Sequence, residues 1–224
     1  MGLMPGHRPV VLDTWPRRPH FEHYLRQVPC TFSLTVELDV TDFAAALADS
    51  PLKTYPAQIW ALATVVNRHE EFRMFVDDDD TPAVWDVVHP SLTVFNPERE
   101  TFASVWVPYA TDLCAFHRAA ADLLTTHRSA TELFPQGDPP PNTFDVSSLP
   151  WTSFTGFTLD IRDGHSHLAP IITLGRYARR DGRTLMPVAL QVHHAVADGF
   201  HASRLLADFA RELADVAAFV RHGG

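Results

Sequence analysis

The stretch from Gln191 to His201, QVHHAVADGFH, holds the side chains best suited to chemistry. Two adjacent histidines, His193 and His194, are followed by Asp198, and His201 lies three residues beyond it. A histidine side chain ordinarily titrates near ~6.5, so an imidazole held on a rigid element is a candidate general base at neutral pH. The same residue types also bind metals. His194, Asp198 and His201 would supply three ligands, but no further His/Asp/Cys cluster stands nearby in the spacing of a structural zinc site. A third reading is that the histidines merely close a strand. The residues by themselves leave base catalysis and strand closure equally open.

The chain around this stretch shows what would position it. A strand pattern, Thr184 to Val192, runs into the histidines, and a helical pattern, Gly199 to Arg221, leaves Asp198. Asp198 is placed to cap that helix, and Gly199 gives the turn backbone freedom. Side chains alternate along a strand, so His193 and His194 face different ways; His193 is read as structural and His194 as the residue that acts. Other helical patterns cover Pro19–Gln27, Asp42–Ala48, Pro56–His69 and Ala115–His127. Strand patterns cover Thr31–Val40, Ala83–Val88, Ser91–Phe95, Thr101–Val107, Phe154–Ile161 and Ile171–Tyr177, with a turn at Arg180-Asp181-Gly182. Helices and strands mix without a regular βαβ alternation. The expected class is therefore α/β (α+β), a sandwich with one large mixed sheet and flanking helices, in a single domain spanning 1–224.

Composition narrows the function. The 224 residues are 46% hydrophobic and carry a formal net charge of -9, enough apolar content for a core and the wrong sign for a nucleic-acid surface. Cys30 and Cys114 are too few and too far apart for a disulfide framework or a metal knuckle, so reduced thiols are expected. No apolar run approaches the ~18 residues a membrane span needs, and residues 1–9 lack a signal-peptide pattern; a cytoplasmic protein is expected. The four carboxylates Asp77 to Asp80 read as a solvated turn between strands, and PQGDPPPN at Pro135 to Asn142 as a surface loop. His165 and His167 read as an exposed turn.

HHAVADGFH is similar to the HHxxxDG signature of acyl-CoA-dependent acyltransferases. The resemblance to the chloramphenicol acetyltransferase family extends over roughly Val11 to Leu213. It is carried by WPRRPHFEHY from Trp15, EFRMFVDDDD from Glu71, VWDVVHPSLTVF from Val84, ETFASVW from Glu100, LFPQG from Leu133, SSLPWTSFTGF from Ser147, APIITLGRY from Ala169 and LMPVALQVHHAVADGFH from Leu185.

That resemblance implies an enzyme that transfers acetyl from acetyl-CoA to the 3-hydroxyl of chloramphenicol by direct attack in a ternary complex, without a metal. It implies His194 as general base, Ser147 as donor to the oxyanion, and Thr173 as holder of a water beside it. It implies an ion pair of Asp198 with Arg17, buried, whose disruption from one side would cost ~3–5 kcal/mol. Arg18 and Ser148 are the neighbours that could be confused with Arg17 and Ser147. The implied acceptor pocket comprises Tyr24, Val28, Cys30, Phe32, Phe102, Ser104, Phe134, Asp145, Phe157, Leu159 and Ile161. Arg176 and Tyr177 match positions that meet coenzyme A. Without the resemblance, most of these would be read as core residues, and Ser147 as a loop serine.

The sequence departs from the family at a few points. Ala197 stands where many members have cysteine, Arg176 where lysine is common, and Asp145 where some members have asparagine. Condensation domains with the same signature contain two copies of the fold in one chain, and dihydrolipoamide acyltransferases bring lipoyl domains; this chain shows neither. A single copy implies a homotrimer with active sites between subunits. The same chemistry on a different hydroxylated acceptor, and non-catalytic binding of a drug or coenzyme A, are the alternatives.

Overall fold

A computed structural model describes residues 5–77, 79–159 and 167–223. In chain order the strands are β1 (His7–Pro9), β2 (Thr31–Asp39), β3 (Met74–Val76), β4 (Pro82–Trp85), β5 (His89–Asn96), β6 (Thr101–Trp106), β7 (Thr143–Leu149), β8 (Ile171–Gly175), β9 (Ala178–Arg180) and β10 (Arg183–His193). The helices are α1 (Arg18–Glu22), α2 (Thr41–Ala48), α3 (Thr54–Arg68), α4 (Leu113–Thr126) and α5 (Gly199–Arg221). Among the described residues the main sheet runs β2-β10-β8-β7-β5-β6, with β9 also on β10. It is mixed: β7 lies parallel to both β5 and β8, and the other pairings are antiparallel. A small sheet, β1-β4-β3, stands apart from it.

The two faces of the main sheet differ in chemistry. Alternation along the strands puts Leu34 and Val36, Leu190 and Val188, Ile172, Val146 and Leu92 on one face. These join Ile59 and Leu62 of α3 and Leu205, Phe209 and Leu213 of α5 in one continuous core. The other face carries Ser33 and Thr35, Gln191 and Ala189, Thr173, Ser147 and Asp145, and Thr93 and Ser91. Small and polar residues dominate it, so burial against the helices does not explain that face.

Each helix expected from the sequence is present, with one informative change. Pro19–Gln27 begins as α1 but widens into a π-helical turn over His23–Gln27. Such widening is frequent at functional sites, and here it brings Tyr24 against His194, as described below.

Three strand expectations need correction. β7 is not among the strands expected from the sequence, where Ser147 without the resemblance reads as a loop serine; it is a central strand with a parallel neighbour on each side. The short strands β1, β3 and β9 are not expected from the sequence either, and Arg180, read as part of a turn, ends β9. Phe154–Ile161 does not form a strand in its described part: residues 153–159 are irregular, and Ile161 lies outside the described residues. The segment lies over the polar sheet face instead of joining the ladder. Leu159 N–H donates to the Gln191 side-chain oxygen at 3.0 Å, and Ser33 Oγ donates to the same oxygen at 3.1 Å.

This overlay explains Gly175. A Cβ there would come within 2.7 Å of Pro187 Cγ and 2.8 Å of the Phe154 ring. Gly175→Val should therefore cost ~1–3 kcal/mol through overpacking. Thermal unfolding checks this, and an unchanged midpoint would show that Phe154 moves aside freely.

Candidate active site

β10 delivers the chain to His193, which is 2% exposed and accepts a hydrogen bond from Ala195 N–H at 3.1 Å. The chain then turns through residues 194–198 before α5. Asp198 caps α5, accepting from Phe200 N–H at 3.0 Å. His194 is anchored at its backbone, donating to Cys30 O at 2.9 Å. Its ring lies stacked on Tyr24, with centroids 4.0 Å apart, and edge-on to Phe32 at 5.4 Å.

The ring's own hydrogen bond decides its tautomer. His194 Nδ1 lies 3.1 Å from Ala197 O. A carbonyl oxygen only accepts, so Nδ1 carries the proton and Nε2 carries the lone pair. The imidazole is thus held as a proton acceptor at Nε2.

Arg17 clamps the same turn with three donations. Its Nε reaches Ala195 O at 3.0 Å, one terminal nitrogen reaches His194 O at 2.9 Å, and the other reaches Asp198 Oδ2 at 2.9 Å. The planar fork suits this pattern, which a lysine would not reproduce. Arg18 does something else, pairing with Asp13 and Glu22. The Arg17–Asp198 pair is less buried than the resemblance implies. Arg17 is 14% exposed and Asp198 36%. Solvent screening brings the expected cost of breaking it down to ~1–3 kcal/mol.

Burial pushes the Asp198 carboxyl up, but hydrogen bonds from Arg17 and His201 outweigh that and hold it well below the usual carboxylate range. A depressed folded-state value stabilises the fold above the unfolded value, ~3.9, and that stabilisation is lost as the pH falls through the folded value. Asp198→Asn should therefore lower the melting midpoint at pH 7, with a gap to the parent protein that narrows as the pH falls through the carboxylate range. Melting curves from pH 7 downward read this out. A gap that stayed constant would contradict it.

Ser147 and Thr173 form a second cluster. They sit opposite each other on the parallel pair β7–β8. Both line a cavity of about 680 Å³ whose walls include Phe95, Phe102, Leu149, Trp151, Phe157 and Leu159. Thr173 is buried, while Phe102 and Trp151 are exposed at the rim.

One chain does not join the two clusters. Ala189 of β10 lies level with Thr173, and Thr173 with Ser147. His193 is four residues farther along β10, which is ~13 Å along the strand, and Ser147 is two strand spacings, ~10 Å, across the sheet. His194 and Ser147 of the same chain are therefore far beyond hydrogen-bonding reach.

The remaining predicted positions divide between the clusters or fall outside both. Tyr24, Cys30 and Phe32 belong to the His194 side. Burial pushes the Cys30 thiol up. Val28 is exposed on the connection into β2. Phe102, Phe157 and Leu159 belong to the Ser147 cavity. Ser104 Oγ lies 2.9 Å from Ser91 Oγ, and its backbone N–H donates to Leu133 O, which holds the loop bearing the exposed Phe134 beside β6. Asp145 opens into a separate crevice of about 190 Å³ with Arg73 and His167, outside the Ser147 cavity. Burial pushes its carboxyl up, and His167, 3.5 Å away, opposes this. Arg176 is exposed. Tyr177 turns its hydroxyl inward, where it accepts from Gln58 Nε2 at 2.7 Å. The sequence reading missed Phe95, Leu149 and Trp151 as cavity walls; the strand alternation of β5 and β7 and the Pro-Trp pair were the available signals.

The profile of the family described as "Chloramphenicol acetyltransferase" matches residues 7–210. The chain is 65% identical over 214 residues to a chloramphenicol acetyltransferase of Streptomyces acrimycini, covering 96% of this chain and 97% of that protein. It is 40% identical over 197 residues to one from Clostridium butyricum, covering 88% and 90%. A solved chloramphenicol acetyltransferase superposes with a TM-score of 0.82 at 20% identity, covering 94% of this chain and 99% of the other, which speaks to the fold. The profile spans the Arg17 clamp, the His194 turn and the Ser147 cavity alike, and the chain belongs to the chloramphenicol acetyltransferase family.

Proposed function

We propose that this protein is an acyltransferase that moves the acetyl group of acetyl-CoA to the 3-hydroxyl of chloramphenicol, inactivating the antibiotic. The observation that carries this reading is the His194 ring, fixed by Ala197 O with its Nε2 lone pair available. His194 Nε2 removes the proton from the acceptor hydroxyl as that oxygen forms its bond to the thioester carbonyl carbon. Ser147 donates its hydroxyl to the carbonyl oxygen as it becomes negative, and Thr173 holds a water beside it. As the carbon–sulfur bond breaks, His194 returns the proton to the departing sulfur, so acetyl ester and free thiol leave and the histidine is neutral again.

The geometry supports a shared site. With His194 and Ser147 of one chain far apart, the reaction needs His194 of one subunit against the Ser147 cavity of another. The small, polar second sheet face and the exposed Phe102 and Trp151 suit coverage by a second copy. The chain is thus proposed as a single two-layer domain that closes into a homotrimer in the cytoplasm. The cavity's aromatic walls fit an apolar aromatic acceptor, with Tyr24, Val28, Cys30, Phe32, Phe134 and Ile161 contributing to the acceptor site. Arg176, exposed, offers a cation to the phosphates of coenzyme A, with Tyr177 beside it.

Thiol release from acetyl-CoA, with chloramphenicol as acceptor and mass analysis of the product, tests the reading. One added acetyl group is expected, with no release from an analogue lacking the 3-hydroxyl. Release only with some other hydroxylated acceptor would keep the mechanism and overturn the substrate.

A further inference from the structure

Asp198 has two carboxylate oxygens, and the Arg17 clamp uses one of them. The other, Oδ1, faces His201, whose Nδ1 lies 2.8 Å away. The same Nδ1 lies 3.3 Å from Asp198 N. One ring nitrogen cannot donate to the first and accept from the second at once. The Asp198 carboxyl is held below the usual carboxylate range and is ionised at neutral pH. A lone pair facing an ionised oxygen at 2.8 Å would be repelled, so Nδ1 carries a proton and donates to Oδ1. The surroundings are those of a capping box, with the His201 backbone N–H donating to the Asp198 carboxylate and histidine standing in place of Glu or Gln at the third helical position; the protonated ring turns to the carboxylate as well.

The nearest ionisable neighbours have partners of their own. Glu71 is taken by Arg204, and His69 Nε2 lies 2.6 Å from Asp208. His201 and Arg17 also share the wall of a cavity of about 470 Å³ behind the turn, and His201 is largely shielded, with 23% exposure.

Resting on the reading of His194 as the base, we propose that His201 is a positioning residue for the acetyl transfer. Its hydrogen bond fixes the rotation of the Asp198 carboxylate. That carboxylate fixes the Arg17 fork, and the fork holds the carbonyls of His194 and Ala195. The turn so held presents Ala197 O to His194 Nδ1, which keeps Nε2 as the acceptor. Removing the His201 side chain leaves the carboxylate with Arg17 on Oδ2 and with the backbone N–H groups of Phe200 and residue 201, and loosens the rotation that the ring had fixed. The His194 ring then loses its fixed tautomer, although no atom that meets substrate has been removed.

The test compares the parent protein with His201→Ala and His201→Asn. The asparagine amide nitrogen falls near the position of the histidine Nδ1 and can make the same donation. His201→Ala should lower kcat about 10- to 100-fold, as a misplacement of a catalytic group by a fraction of its bond reach does, with little change in KM for chloramphenicol. His201→Asn should recover most of that loss. The second readout is the nitrogen spectrum of the His194 ring, by NMR of ring-labelled protein. The parent and the asparagine variant should show a single Nδ1–H tautomer, and the alanine variant a mixture. A role in stability alone would lower the melting midpoint and leave both kcat of the folded enzyme and the tautomer unchanged, and that result would overturn the proposal. So would an asparagine variant as impaired as the alanine one. The ring spectrum needs no turnover, so an inactive parent protein would overturn the proposed reaction while the spectrum still decides His201.

Discussion

His194→Ala is expected to lower kcat for chloramphenicol acetylation by roughly 10²- to 10⁴-fold, the usual worth of a positioned general base. The structural argument is specific to one nitrogen. The Nδ1–H donation to Ala197 O leaves Nε2 with the lone pair, and Tyr24 and Phe32 hold the ring plane. Because the backbone bond from His194 N to Cys30 O and the Arg17 contact to His194 O are independent of the side chain, the turn should survive the substitution. Steady-state rates with both substrates saturating, beside a melting curve, separate the two effects. A variant that melts normally and keeps most of its rate would remove His194 from the mechanism.

Ser147→Ala should lower kcat by about 10²- to 10³-fold, the range found when one oxyanion donor is lost. The loss belongs to kcat rather than KM, since the hydroxyl pays its largest return when the carbonyl oxygen is negative. Ser148 provides the control. It is the next residue on β7 and also borders the cavity, but strand alternation turns its side chain away from the face that carries Ser147 and Thr173. Ser148→Ala should retain far more activity. Reversal of the two effects would move the donor by one position and with it the assignment of the reacting face.

Much of this site was legible in the chain. The strand into His193 and the helix from Gly199 follow from periodicity, and Asp198 as cap follows from residue type, so the backbone frame of His194 needed no structure. The Arg17 pairing came through resemblance, since nothing local links positions 17 and 198. β7 escaped although Phe144 and Val146 alternate with Asp145 and Ser147: Asp145 is poorly suited to strands, the apolar alternation is only two residues long, and its two parallel neighbours are supplied by residues far away in sequence. The opposite error at 154–159 has the matching cause. Its apolar alternation fits a strand, but the segment lies over the second sheet face with Phe154 and Phe157 half-buried, and its Leu159 N–H goes to the Gln191 side chain instead of a ladder partner. The π-helical turn that delivers Tyr24 has no periodic signature in five residues. The separation of the His194 and Ser147 clusters is a property of sheet register, which appears only once the strand order is known.

The most direct test of that separation mixes two inactive chains. Co-expressed His194→Ala and Ser147→Ala chains, each with its own tag and purified through both tags, should form assemblies in which some sites pair an intact His194 from one chain with an intact Ser147 from another. In a doubly tagged cyclic trimer of either mixed composition, one of the three shared sites is complete, and acetyl transfer should return to about a third of the parent rate. Doubly tagged assemblies that remain as inactive as either parent variant would contradict a site built between chains.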